Sequence, residues 1–344
     1  MVDDNYRPIE PIGSYLCYLE SLERSPNTVH AYANHLKLFW EFLQDCQREW
    51  RSITLRELAD FITWLRRPDP RVLSMQPVES RRTERTINII ITVVCGFYEY
   101  QERLGITGGI NAYRYQFQPG KKYKSFLHHI NSGKETRTKL LKLKEPQKLP
   151  LILTQEQVKQ LINACHRLRD KFLVSLLYET GMRIGQALGL RHSDVHSWDN
   201  QIQIVPRNDN ANGVRAKTRN SYIVHVSKEL MRLYSEYLIN EYPEDISSDY
   251  VFINIWSGKV GHPIAYSTIQ DLFRRLTKET GIEAHPHLLR HTHATELIRS
   301  GWDMSYVQKR LGHTSVQTTI NSYVHLSNND LKEAYQKYLQ QRET

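Results

Sequence analysis

Four side chains that could act on a phosphate group lie close together near the C-terminal end of the sequence: His287, Arg290, His313 and Tyr323. His287 and Arg290 stand three residues apart in HLLR, a spacing that places both on one face of a helix. An arginine guanidinium binds phosphate oxygens through parallel hydrogen bonds, and a tyrosine hydroxyl can serve as a nucleophile. The set therefore indicates chemistry at a phosphodiester, with Tyr323 as the nucleophile.

The spacing between His313 and Tyr323 limits how these two residues can share a site. On one straight helix they would lie about 15 Å apart along the axis, too far to reach one phosphate. Two arrangements satisfy this constraint, and the sequence favours neither. Either the helix breaks between them, at Thr318 or Thr319, or the tyrosine serves the site of a neighbouring subunit.

Length and composition describe a globular protein of about two domains. Hydrophobic residues make up 40% of the 344 residues and charged residues 24%. No apolar run approaches the ~18 residues of a membrane span, and the acidic start MVDDNY is unlike a signal peptide. The four cysteines are widely separated and form no CxxC pair, which argues against a zinc or disulfide framework and fits a reducing cytosol. We therefore expect a cytoplasmic protein without a membrane partner.

Positive charge is concentrated in the middle of the chain. The formal net charge is +9, and residues 106–149 carry ten lysines and arginines against two glutamates. Such a segment is either a solvated linker or a strap that lies along phosphates and becomes ordered on binding. We favour the strap, with Lys121, Lys122 and Lys124 as its DNA-binding residues, because a strap between two domains would let them close around a duplex.

The N-terminal part of the chain has the pattern of a small helical bundle. Apolar residues recur there at helical spacing after N-cap signals, one of which is followed by proline at the first helical position. Four helices are expected. They are predicted around Ile12–Leu22, after the N-cap Ser25, after the capping box that begins at Thr54, and from about Thr83 to Leu104.

From residue 150 the helical periodicity returns, interrupted by short β-strands. A capping box at Thr154 opens the first helix, and Gly181 ends the second as a left-handed cap. The predicted strands cover residues 201–205, 222–226 and 250–255. We therefore predict an α-dominated two-domain protein with a small antiparallel β-sheet. Its parts are a helical bundle (residues 8–105), a basic linker (106–149) and a mainly α C-terminal domain (150–344).

Six residues in a fixed order carry a resemblance to a known family. They are Arg183 in TGMRIGQAL, Lys217 in AKTRNSYIVHV, His287 and Arg290 in HLLR, His313 in LGHTS and Tyr323 in TTINSYVH. With these motifs, the chain resembles the tyrosine recombinases of the phage integrase family over roughly residues 150–330. The N-terminal helices resemble that family's SAM-like core-binding domain. Four sequence segments also resemble those of the A-type transposases of site-specific transposons: SPNTVHAY, FLHHIN, VHVSKELM and HTHATELIRSGWD.

The resemblance implies a role for each of these residues in breaking and rejoining DNA strands. Arg183 and Arg290 would hold the phosphoryl oxygens, a task that suits the fixed fork of a guanidinium. Lys217 would protonate the leaving 5′-oxygen, and His287 would help with the proton of the nucleophile. His313 would hold a phosphoryl oxygen. Because a 3′-phosphotyrosyl intermediate retains the energy of the broken bond, the resemblance implies rejoining without ATP, metal or another cofactor.

The resemblance also implies partners and an outcome. The partners would be double-stranded DNA at specific recombination sites, other copies of this chain in a homotetramer, and a partner recombinase or accessory proteins. The outcome would be integration or excision of a mobile element. Two alternatives stay open: a type IB-like topoisomerase, which shares the phosphotyrosine chemistry but relaxes DNA alone, and a DNA-binding regulator with a relic site. The complete set of reactive side chains argues against the regulator.

Two local features bear on the site. The family often has an acidic residue three positions after the first arginine, where this chain has Gln186. A glutamine can hydrogen-bond the arginine but cannot pair with its charge, so we expect slightly looser positioning without loss of activity. His287 and His291 have the spacing of a helical metal pair, but two leucines follow His287 where a zincin motif has its glutamate. No metal site is therefore expected.

Overall fold

α-Helices form most of the described chain and fall into two compact units. The computed structural model describes residues 8–67, 80–108, 110, 113–116, 136–146, 151–216, 220–256 and 258–312, with the backbone alone for 113–116 and 136–139. The units are Met1–Gln147 and Lys148–Thr344. The described residues form eleven α-helices and five short strands, which confirms the predicted α-dominated fold class with a small antiparallel sheet. None of the described helices combines the length and apolar character that crossing a membrane requires.

Four helices build the N-terminal unit around an aromatic core. Their bounds are α1 Glu10–Ser21, α2 Pro26–Asp45, α3 Leu55–Arg66 and α4 Glu84–Arg103. Ser25 and Thr54 cap α2 and α3 as predicted, and Glu57 completes the capping box at Thr54. Phe39 and Phe61 are fully buried between these helices, with ring centroids 5.1 Å apart. Each such burial contributes about 1.5–3 kcal/mol, so packing rather than helix propensity holds the bundle together.

The central basic segment contains two strands that were not predicted from the sequence. β1 (Tyr113–Gln116) pairs antiparallel with β2 (Thr136–Lys139). Beyond β2, the side chain of Leu143 packs against the N-terminal core. Asn88 on α4 fixes this residue from both sides, because its Oδ1 accepts from Leu143 N at 2.8 Å and its Nδ2 donates to Leu143 O at 3.0 Å. The end of the basic segment is thus bound to the N-terminal unit.

The C-terminal unit is built around one helix that is buried on nearly all sides. This helix, α6, packs against α5, α8 and α10, and Phe172, Leu173 and Leu176 along it are completely buried. It ends at Gly181, whose φ of 61° gives the predicted left-handed cap. The helices of this unit are α5 Gln155–Asn163, α6 Leu168–Thr180, α7 Ile184–Leu188, α8 Lys228–Asn240, α9 Tyr266–Thr280, α10 Pro286–Arg299 and α11 Met304–Leu311.

A three-stranded antiparallel sheet covers one part of this unit, in the order β3-β4-β5. The strands are β3 Val195–His196, β4 Gln201–Ile204 and β5 Tyr222–His225. The third predicted strand, residues 250–255, is wrong: Tyr250 and Ile253 make only isolated bridges, to Arg191 and Pro263. Residues 251–253 are buried all the same. A short apolar run indicates that a segment is buried. It does not by itself distinguish a buried strand from a buried loop.

We predict that Asn88→Ala releases the end of the basic segment from α4. The substitution removes the two bonds to Leu143 and a third from Nδ2 to Glu145 Oε1 at 2.8 Å. The expected cost to stability is about 1–3 kcal/mol. Limited trypsin digestion, followed by mass spectrometry, should show faster cleavage at the exposed Lys142 and Lys144.

The matched control for this experiment is Asn34→Ala, which removes an exposed side-chain bond to His30 on α2. It should leave cleavage at Lys142 and Lys144 at the wild-type rate. Equal cleavage of the Asn88→Ala and wild-type chains would contradict the role of Asn88.

Candidate active site

Three of the six residues that the motifs single out lie in the described part of the chain. Arg183, His287 and Arg290 are all in the C-terminal unit. The other candidates, Lys217, His313 and Tyr323, and the strap lysines Lys121, Lys122 and Lys124, lie outside the described residues. The geometry of the site therefore rests on the two arginines, on His287, and on the chain segments that lead toward the other candidates.

Arg290 is a buried cation held by the C-terminal ends of two helices. It sits on α10, which begins at Pro286 after the N-cap His285, and only 3% of its surface is exposed. Its Nη1 donates to the carbonyl oxygen of Gly181 at 2.6 Å and its Nη2 to that of Leu311 at 2.9 Å. Gly181 caps α6 and Leu311 ends α11. Since carbonyl groups at helix C-termini carry partial negative charge, both contacts favour the guanidinium.

Arg183 binds the backbone one residue after Leu311, at the turn that ends α11. It is the N-cap of α7, in extended backbone conformation, and its Nη1 donates to Gly312 O at 3.4 Å. The two guanidiniums thus bind consecutive carbonyl groups, those of Leu311 and Gly312. These two residues directly precede His313 in the sequence. The structure brings the two predicted arginines together, at the segment that leads into the predicted histidine.

A second segment, the one that leads to Lys217, also packs on α7. A Cβ at Gly185, two residues after Arg183, would lie 2.5 Å from the carbonyl oxygen of Arg215. Only glycine allows this close backbone approach. Ala216, which directly precedes Lys217, is 4% exposed. The short helix α7 is therefore the element on which both chain segments meet.

Gln186 occupies the position where an acidic residue is common in the family, and its amide has two partners. Its Oε1 accepts from the backbone N–H of Arg183 at 2.7 Å, and its Nε2 donates to the hydroxyl of Tyr222 at 3.2 Å. Gln186 is 4% exposed. The bond expected between glutamine and arginine is thus made to the arginine backbone, where it fixes the start of α7. Tyr222 was not predicted from the sequence, because no motif marks a tyrosine on a strand.

Arg310 and His293 form a further pair beside the two arginines. Arg310 Nε donates to His293 Nε2 at 3.1 Å, and Arg310 Nη2 donates to Glu179 O at 2.9 Å. Burial, followed by the positive charges of Arg310 and Arg290, lowers the pKa of His293 to about 3. Because Nε2 accepts from an arginine, which can only donate, the ring is neutral with its hydrogen on Nδ1. Arg310 was not predicted from the sequence either, although it directly precedes Leu311.

His287 lies one turn before Arg290 on α10 but is exposed, whereas Arg290 is buried. The ring of His291 lies further along the helix, with its centroid 6.3 Å from that of His287. Burial lowers the pKa of His291, and the nearby charges of His287, Arg290 and His285 act in the same direction. His287 is thus the exposed residue of the predicted pair, and Arg290 is the buried one.

The arrangement of fold and site agrees with one protein family. Residues 152–330 match the phage integrase family, and residues 12–105 match the phage integrase N-terminal SAM-like domain. The chain belongs to the phage integrase family and is a tyrosine recombinase, an enzyme of site-specific DNA recombination.

Individual members of the family are similar to this chain over most of its length. The chain is 46% identical to transposase A from transposon Tn554 of Staphylococcus aureus, over 100% of this chain and 94% of that protein. It is 26% identical to the tyrosine recombinase XerA of Pyrococcus horikoshii, over 95% of this chain and 92% of that protein. Its fold is similar to that of the Tn1549 transposon integrase in complex with a circular intermediate DNA. That match has a TM-score of 0.64 and 16% identity, over 95% of this chain and 99% of the other.

We predict that His293 makes the folded state sensitive to mild acid. Its pKa is about 3 in the folded protein against an ordinary value of 6.5, so between these values only the unfolded chain binds the proton. Stability from this residue is therefore complete above about pH 6.5 and falls as the pH decreases toward 3, by at most about 1.4 kcal/mol per pH unit. Urea unfolding between pH 7 and 4 measures the slope.

The comparison variant is His293→Gln, which keeps an acceptor for Arg310 but does not titrate. Its unfolding free energy should fall less steeply over the same range, whatever its value at pH 7. Parallel slopes for the two proteins would show that His293 is not the source of acid sensitivity.

Proposed function

We propose that this recombinase is a transposase that integrates and excises a mobile element through a 3′-phosphotyrosyl intermediate, with Tyr323 as nucleophile. The observation that carries the proposal is the meeting of Arg183 and Arg290 at Leu311 and Gly312, directly before His313. The close approach of Gly185 to Arg215, two residues before Lys217, supports the same assignment. The identity with transposase A from transposon Tn554, which extends over the whole chain, favours transposition over other recombination outcomes.

In this proposal the hydroxyl oxygen of Tyr323 attacks the phosphorus of one DNA strand. The bond from phosphorus to the 5′-oxygen breaks, Lys217 protonates that oxygen, and His287 takes up the proton of the tyrosine. A tyrosine hydroxyl has an ordinary pKa near 10, so it is a weak nucleophile at neutral pH without such help. The reverse reaction, with a free 5′-hydroxyl as the attacking group, rejoins the strand.

The arginines supply electrostatic stabilisation in this scheme. Charge on the phosphoryl oxygens must be held throughout the displacement, and positioned donors of this kind are each worth on the order of 10²–10³ in rate. Arg183 binds Gly312 O through one of its five N–H groups, so it can also donate to a phosphoryl oxygen. His313, which follows Gly312 directly, would add a further donor.

Double-stranded DNA is the substrate and the main partner in this proposal. The strap lysines Lys121, Lys122 and Lys124 would lie along phosphates and contribute to binding regardless of base sequence. Two duplexes must be brought together for strand exchange, so we propose a homotetramer on DNA, with a partner recombinase or accessory proteins where needed. We propose a bacterial cytoplasm as the location of this activity, a proposal supported by the bacterial source of the similar Tn554 transposase.

The nucleophile can be tested with labelled duplexes that tile the DNA on both sides of the gene. The wild-type chain should become covalently attached to the strand of one duplex, as a complex that survives denaturation. Tyr323→Phe should abolish this capture, because the nucleophilic oxygen is absent, while the duplex is still retarded on a gel.

The matched control is Tyr335→Phe, the same change at another tyrosine of the C-terminal tail. It should capture DNA at the wild-type rate. Covalent capture by Tyr323→Phe would show that another residue is the nucleophile. Relaxation of a supercoiled plasmid that lacks the captured sequence would instead favour the type IB topoisomerase activity.

A further inference from the structure

Tyr222 lies at the meeting point of the two arginines, and no motif accounts for it. It is on β5, and its ring packs against Gly312, the residue whose carbonyl binds Arg183. A Cβ at Gly312 would lie 2.7 Å from Cε1, Cζ and Oη of this ring. The hydroxyl end of Tyr222 is therefore the part of the residue that faces the turn held by Arg183 and Arg290.

The hydrogen bond from Gln186 determines the direction in which this hydroxyl can act. A backbone N–H can only donate, so the bond from Arg183 N fixes which end of the Gln186 amide is the oxygen. The other end, Nε2, must then donate to Tyr222 Oη, at 3.2 Å. Tyr222 accepts this bond, so its own hydrogen is available to a different partner.

The surroundings of the hydroxyl are rich in donors. Arg183, Arg290 and the Gln186 Nε2 can donate but cannot accept. Within the part of the chain that the structure describes, Tyr222 donates no hydrogen bond. Burial raises the pKa of Tyr222, although the charge of Arg290 acts in the opposite direction, so the hydroxyl keeps its hydrogen at neutral pH. An anion bound between the arginines would supply the acceptor.

We propose that Tyr222 is a further catalytic residue, whose hydroxyl donates to a non-bridging oxygen of the DNA phosphate that Arg183 and Arg290 bind. Gln186 is its positioning residue. Its Nε2 donates to Tyr222 Oη and cannot accept, so the hydrogen of Tyr222 is directed away from Gln186 and toward the phosphate. This inference rests on the proposed function, since it uses the phosphate bound there. In this proposal the Gln186 amide has a role of its own, the orientation of the Tyr222 hydroxyl, and does not merely replace an acidic residue.

The first test is Tyr222→Phe, assayed on the duplex that the wild-type chain captures. The ring and its packing against Gly312 remain, and only the donor is lost. Capture should slow on the order of 10²-fold, while the duplex is retarded at the wild-type protein concentration. The matched control is Tyr237→Phe, which removes a buried hydroxyl bond to Val251 O (2.9 Å) in the core of the same unit. Equal capture rates for the two variants would overturn the proposal.

The second test is Gln186→Glu, which reverses the polarity of the pair. A carboxylate can still accept from Arg183 N, but it also accepts the hydrogen of Tyr222 and so removes it from the phosphate. Capture should slow in this variant, and adding Gln186→Glu to Tyr222→Phe should cause no further loss. Wild-type capture by Gln186→Glu, as expected if an acidic residue serves equally well here, would overturn the proposal.

The third test separates a contact to the phosphate from a structural effect. Duplexes are prepared with sulfur in place of either non-bridging oxygen of the cleaved phosphate. Sulfur at the oxygen that Tyr222 contacts should slow the wild-type chain more than it slows Tyr222→Phe. Identical sulfur effects in both proteins at both positions would show that Tyr222 acts only through packing. Failure of the wild-type chain to capture any duplex would instead overturn the proposed function, and this inference with it.

Discussion

The site depends on the binding of two arginine side chains to one turn of the backbone. Arg183 and Arg290, which are more than a hundred positions apart in sequence, reach the carbonyl groups of Gly312 and Leu311 from α7 and α10. Arg290 is almost fully buried, and removing a cation from water costs several kcal/mol unless polar groups replace the water. The helix C-termini at Gly181 and Leu311 provide such groups.

The short helix α7 links the binding of the two arginines to the other residues of the candidate site. Arg183 begins it, Gly185 lets the segment before Lys217 approach, and Gln186 secures both Arg183 and Tyr222. The two bonds of Gln186 hold the backbone of Arg183 and the hydroxyl of Tyr222 in fixed relative positions before a substrate arrives. Such preorganisation is what electrostatic stabilisation of a phosphoryl transfer requires. The neutral His293 accepts a hydrogen bond from Arg310 and so helps to hold this arginine without contributing a charge of its own.

The sequence predicts well those features that depend on neighbouring residues. The helix caps at Ser25, Thr54 and Gly181 depend on hydrogen bonds between residues only a few positions apart. The caps and the helical fold class could therefore be predicted from the local sequence. The arginines could be singled out because their motifs lie within short stretches of chain. Their meeting at one turn, however, is a product of packing and is visible only in the folded chain.

The features that the sequence did not predict depend on distant contacts. Tyr222 gains its place from Gln186 and Gly312, and Arg310 from His293, Glu179 and the carbonyl of His225. No periodicity encodes such pairs, since each partner lies on a different element. The strands β1 and β2 were missed for a related reason. Their segment is basic and polar, without the alternation of apolar residues that marks a half-buried strand.

In the proposed reaction, Arg183 and Arg290 act on one phosphate. The most direct measurement is a crystal structure of the Tyr323→Phe chain with the uncleaved duplex that the wild-type chain captures. We expect both guanidiniums within hydrogen-bonding distance of the non-bridging oxygens of a single phosphate. A structure in which the two arginines contact different phosphates, or in which either is turned away from the DNA, would contradict this shared role.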